Sequence, residues 1–74
     1  MSSHAVYRKR HFIVVKSFFN RGMYYTVINT IKKTHCHVSN INYTAARVIC
    51  YRASREEIPD HYPEWMKDRI RRIL

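Results

Sequence analysis

The stretch His11–Ile31, HFIVVKSFFNRGMYYTVINTI, decides how this chain folds. Its first part, His11–Phe19, concentrates β-branched and aromatic side chains, the composition of a strand with both faces partly apolar. Asn20-Arg21-Gly22 follows, and Gly22 can supply the positive φ that closes a three-residue loop with a bulge. Met23–Ile31 then returns as a second strand, rich in β-branched residues and carrying Tyr24 and Tyr25. A helix is the rival reading. Met23, Tyr24, Val27, Ile28 and Ile31 fall within roughly 140° of arc at about 100° per residue. Asn20 could cap such a helix, and Lys32 and Lys33 would suit its last turn. Periodicity favours the helix, whereas propensity and the glycine turn favour the strand. The hairpin is the reading adopted.

Working outward, His35–Ile41 is short and mixed, a third short strand or a loop. Over Tyr43–Glu57, Tyr43, Ala46, Ile49, Cys50 and Ala53 make one helical face, with Arg47, Arg52 and Arg55 on another. Asn40 or Asn42 can cap its start, and Pro59 forces an end near Glu57. The alternative is a strand over Arg47–Arg52, with Ser54–Glu57 as a capping box for the next helix. The last element is the clearest. Pro63 suits a first helical position. Glu64 and Asp68 lie towards the N-terminus of that helix, and Arg69, Arg71 and Arg72 towards its C-terminus, as the helix dipole prefers. Trp65, Met66, Ile70, Ile73 and Leu74 form its apolar stripe, with Trp65 as the largest expected anchor. The sequence thus predicts one α+β domain over residues 1–74. An N-terminal antiparallel hairpin, or three strands if His35–Ile41 pairs, precedes two helices packed on one face. Residues 1–10 are expected to form a flexible basic arm, the alternative for its Tyr7–His11 cluster being a first strand with a basic edge.

Charge gives the first indication of function. The 74 residues hold 14 Lys and Arg against five Asp and Glu, a formal charge of +9. All five acids lie between Glu56 and Asp68, so residues 1–55 carry +10 and residues 56–74 carry −1. A soluble surface normally interleaves both signs. A long stretch without acids makes a continuous positive field, which attracts polyanions and speeds their encounter. With 46% apolar residues the chain is no disordered basic tail. No apolar run reaches the ~18 residues of a membrane span. No signal peptide is read, and Cys36 and Cys50 are too few for a disulfide framework, so a cytoplasmic location with reduced thiols is expected.

The candidate phosphate contacts are Arg8, Lys9, Arg10, Arg21, Lys32, Lys33, Arg47, Arg52 and Arg55. Tyr7 and His11 could stack on an unpaired base, and Arg47, Tyr51, Arg52 and Arg55 share one polar helical face. No motif selects DNA over RNA. His35-Cys36-His37 brings three possible metal ligands together, but no Cys-x-x-Cys or His-x-x-x-His pair accompanies it. Alternation along a strand would let only the two histidines converge. No metal or cofactor is expected. A nucleophile would need a base held beside it, and no such arrangement is legible, so the chain reads as non-enzymatic. The leading expectation is a small regulatory protein that binds nucleic acid through a basic surface. In composition, small, glycine-poor, Tyr- and Ile-rich basic chains look like accessory proteins of bacteriophages or mobile elements. On that reading the same basic face would dock on an acidic host protein, with Tyr24, Tyr25, Tyr43 or Tyr62 as anchors. A homodimer is a further expectation for a chain this short.

Overall fold

The computed structural model describes residues 3–74. The decisive stretch is a hairpin. Strand β2 (Phe12–Phe19) pairs antiparallel with β3 (Gly22–Asn29), from Phe12 opposite Asn29 to Phe19 opposite Gly22. Alternation sends Phe12 and Val14 to the same face as Tyr25, Val27 and Asn29, and all five are buried. The helical stripe loses because it spends Ile31, which is 70% exposed at the next turn. The connection is tighter than the sequence implied. Asn20 and Arg21 both take positive φ, 52° and 66°, while Gly22 does not. This is a two-residue loop whose backbone twist matches that of the strands. Asn tolerates the left-handed conformation, so no glycine is required inside the turn.

Two further strands extend the hairpin on either side. Strand β4 (Thr34–Ser39) pairs with β3, so His35–Ile41 is largely strand and not loop. Strand β1 (Ser3–Lys9) pairs with the other edge of β2, with a bulge at Val6 between Ala5 and Tyr7. The flexible arm expected over residues 1–10 is therefore an edge strand from Ser3 to Lys9, because the half-buried Val6 and Tyr7 pack against the core. Met1 and Ser2 lie outside the described residues. The result is a four-stranded antiparallel meander in the order β1-β2-β3-β4, one strand more than the largest sheet expected.

Helices α1 (Tyr43–Ser54) and α2 (Glu64–Ile73) follow, completing the α+β arrangement. Ala45, Ala46, Ile49, Cys50 and Ala53 of α1 are buried together with Met66, Ile70 and Ile73 of α2, against Phe12, Val14, Val27, Cys36 and Val38 of the sheet. Small side chains let α1 approach the sheet closely. Burial pushes both thiols, Cys36 and Cys50, up to about 11. Among the described residues, no helix lies over the opposite sheet face, with Ile13, Val15, Ile28, His35 and His37.

Helix α1 ends at Ser54, before Glu57. Glu56 takes a left-handed conformation (φ 56°). Its N–H donates to the Ala53 carbonyl at 2.9 Å, and the Glu57 N–H donates to the Arg52 carbonyl at 2.9 Å. This paired closure is a Schellman motif, here without the usual glycine. Helix α2 is entered through Pro63, which lies just outside it with φ −57° and ψ 148°. Asn29 joins sheet to helix. Its side-chain Nδ2 donates to the Ile73 carbonyl at 2.9 Å, and its Oδ1 accepts from the N–H groups of Ile31 and Lys32, both at 3.1 Å. The Thr34 hydroxyl donates to the same Ile73 carbonyl at 2.9 Å.

Trp65 is not the anchor that its size suggested. It is 40% exposed on the first turn of α2, because Met66, Ile70 and Ile73 already complete the buried stripe. A chain of this length has a stability of about 4–11 kcal/mol. In urea denaturation, Ile70→Ala is expected to cost about 2–5 kcal/mol. Trp65→Ala is expected to cost about 1 kcal/mol. The reverse order would place the indole, and not Ile70, in the core.

Candidate nucleic-acid interface

Helix α1 runs alongside β1 in the same direction, and successive side chains meet across the seam. The Tyr43 hydroxyl donates to the Val6 carbonyl at 3.2 Å. The Arg47 guanidinium lies 5.0 Å from the Tyr7 ring and 5.7 Å from that of Tyr43. The Lys9 ammonium lies 5.7 Å from the Tyr51 ring. At the far end Arg10 donates to the Ser54 carbonyl at 3.0 Å. Tyr43, Arg47, Tyr51 and Arg55 recur every fourth residue and form one stripe on the helix. Tyr7 and Lys9, two apart on β1, face it. The product is a surface on which rings and cations alternate.

Two open clefts divide this surface. One, of about 340 Å³, is lined by Tyr7, Thr44, Arg47, Val48, Tyr51, Arg52 and Tyr62. The other, of about 420 Å³, is lined by Lys9, Arg10, Tyr51, Ser54 and Arg55. Tyr51 is common to both and forms the ridge between them.

The cations are not equivalent. Arg52 donates through Nε to the Tyr62 hydroxyl at 2.9 Å and through NH1 to Glu57 Oε1 at 2.7 Å. Arg55 donates to Glu57 Oε2 at 3.1 Å. The Schellman turn brings Glu57 back over the helix end and so between these two guanidinium groups. Arg47, Lys9 and Arg10 have no carboxylate partner among the described residues. They are the cations with most capacity left for a ligand. Exposed ion pairs of the Glu57 kind add little stability, so their main effect here is to fix where the guanidinium groups point.

The fold therefore gathers five of the nine expected contacts, Lys9, Arg10, Arg47, Arg52 and Arg55. Arg8 alternates to the other sheet face, opposite Ile13. Arg21 sits in the β2–β3 turn at the opposite end of the sheet from Arg10. Lys32 and Lys33 are in the β3–β4 turn, and Lys32 Nζ donates to the Leu74 carbonyl. The fourfold spacing of Tyr43, Arg47, Tyr51 and Arg55 is the sequence signal for this stripe, masked by the apolar character that also fits Tyr43 to the buried face. Tyr62 joins the site through its bond to Arg52 and has no local sequence signal.

On the uncovered sheet face the His35 and His37 rings do converge, with centroids 5.2 Å apart. The Thr26 hydroxyl lies 3.2 Å from His37 Nδ1. Burial, then the charges of His35, Arg69 and Arg72, hold the His37 imidazole below its ordinary value. It therefore gains charge only at a lower pH than a free histidine. Among the described residues no group of three His, Cys, Asp or Glu side chains is placed to hold a metal ion. Among them, too, no helix is long and apolar enough to cross a membrane. No protein-family model, curated protein or solved structure matches the chain.

Hydrogen bonds from Arg52 and then Arg55 hold the Glu57 carboxyl below its ordinary value of 4.5. A carboxyl depressed in the folded state contributes stability that is present above its unfolded value and lost as pH falls through the folded one. In a pH titration followed by carboxyl NMR shifts, Glu57 should titrate below 4.5. Arg52→Gln should raise it by more than Arg55→Gln does. Equal effects from the two variants would show that the bonds share the carboxylate evenly.

Proposed function

We propose that this protein binds nucleic acid, acting by binding and not by catalysis, and that the seam between α1 and β1 is its contact surface. The observation that carries the reading is the convergence of Lys9, Arg10 and Arg47, free of carboxylates, beside the rings of Tyr7 and Tyr51. Cations neutralise phosphates and release condensed counterions. Arginine's planar fork can grip a phosphate in two places, and its flat face lies well on aromatic rings. Phosphate contacts fix position without reading sequence, so low sequence selectivity goes with this reading. Arg8, Arg21, Lys32 and Lys33 lie away from the seam and supply long-range attraction.

The test is a titration of the purified protein with single-stranded RNA, single-stranded DNA and duplex DNA across a range of salt. Each phosphate contact contributes about −0.7 to −0.9 to the slope of log K against log salt. Three free cations predict a slope of about −2 to −3, and Arg47→Gln should make it shallower by about one contact. Glu57→Gln should tighten binding, because it removes a negative charge from between Arg52 and Arg55 while leaving an amide oxygen that can still accept from a guanidinium. Affinity that is flat with salt sinks the reading. Failure to bind any of the three near physiological salt would leave this basic surface to the other expectation, docking on an acidic protein of a host.

A further inference from the structure

The rings at the seam bear on which kind of nucleic acid fits it. In a duplex each base has neighbours on both faces, so a protein ring finds only edges and backbone. An unpaired base offers a whole face, and aromatic side chains stack on it whatever its identity. A surface that met only duplex phosphates could use a tyrosine through its hydroxyl, but would leave the face of its ring unused. Here the half-buried Tyr51 stands between two clefts, with Arg52, Lys9 and Arg55 around its ring at 5.5, 5.7 and 5.9 Å.

We propose that the seam takes a single strand with unpaired bases, one base stacking on Tyr51 in the cleft walled by Tyr7 and Arg47, and the adjoining phosphate lying in the cleft between Lys9 and Arg10. The inference rests on the nucleic-acid reading above and narrows it. The two clefts share the Tyr51 wall, so a base and its neighbouring phosphate can occupy them together. Arg52 and Arg55 are held by Glu57, and Arg52 also by the Tyr62 hydroxyl. They serve as positioning residues that fix the Tyr51 side of the clefts. Lys9 is bound to no carboxylate, so it can leave the ring for a phosphate when a base arrives. The proposal covers RNA and DNA single strands alike.

The experiment compares labelled oligothymidylate and oligouridylate with a duplex of equal phosphate count, by fluorescence anisotropy at fixed salt. The unsubstituted protein should bind both single strands more tightly than the duplex. Tyr51→Leu should weaken single-strand binding by about 5- to 150-fold, the effect of losing one base–aromatic stack. It should leave duplex binding and the salt slope unchanged, since no charge is removed. Tyr51→Phe should bind as the unsubstituted protein does. If Tyr51→Leu fails to fold, the ring resonances of Tyr51 in the unsubstituted protein decide the matter. They should move upfield when oligothymidylate is added and stay in place with duplex. A duplex bound as tightly as the single strands, equal losses on both by Tyr51→Leu, or unmoved ring resonances each overturn the single-strand assignment while leaving nucleic-acid binding intact. Absence of binding to every oligonucleotide overturns the parent reading as well.

Discussion

The Asn29 carboxamide ties the two layers of this protein together. It sits at the end of the central strand β3, is buried, and uses both ends of its amide. The oxygen gathers the backbone N–H groups of the turn into β4, and the nitrogen reaches the last carbonyl of α2. That carbonyl belongs to a helix terminus, where no intrahelical donor remains. Thr34 supplies a second donor to it. An apolar residue at position 29 would take the acceptor from the Ile31 and Lys32 N–H groups and leave the Ile73 carbonyl to Thr34 alone. The core gives the sheet and the helices a reason to associate. Asn29 fixes how α2 lies on the sheet, and α2 in turn packs against α1.

The position of α1 sets the charge pattern. Ala46, Cys50 and Ala53 are short enough to bring the helix axis down onto the sheet, and β1 forms the wall that its outer face meets. Because helix and strand run the same way, the fourfold period of one keeps step with the twofold period of the other for about two turns. Tyrosines and cations then alternate across the seam. The left-handed Glu56 ends the register and turns Glu57 back over the helix, where it immobilises two of the five clustered cations. The five clustered cations thus divide into an oriented pair and a trio free of carboxylates.

The parts of this arrangement that sequence made legible are those written in local composition. Phe12–Phe19 and Gly22–Asn29 are strands by residue type, and pairing settled them against a helical periodicity that was real but left Ile31 in solvent. Helix α2 is marked by its charge gradient. The turn at Asn20-Arg21 was misread because glycine is the stronger signal, although asparagine can open a left-handed turn unaided. Strand β1 was legible only as the alternative to a flexible arm. Its residues are basic and mixed, and they become a strand only because β2 offers an edge and the core accepts Tyr7 and Val6. Trp65 was overrated because size was taken for burial, when the stripe needed only Met66, Ile70 and Ile73. At the site, the cations of α1 could be chosen from the sequence, but their division by Glu57 depends on a helix ending that no residue type announced.

The Val6 bulge has a bearing on how many copies of this protein can share one polymer. Among the described residues β1 is an unpaired edge lying beside the seam, and on the proposed reading a polyanion would concentrate the protein along itself. A long regular edge brought to high local concentration invites strand-to-strand pairing between molecules. The bulge breaks the hydrogen-bonding repeat of β1 near its middle, and Arg8 and Lys9 place charge along what is left of it. Under the binding proposed above, copies crowded along one strand would meet with mismatched edges and like charges, which disfavours strand-to-strand pairing between them.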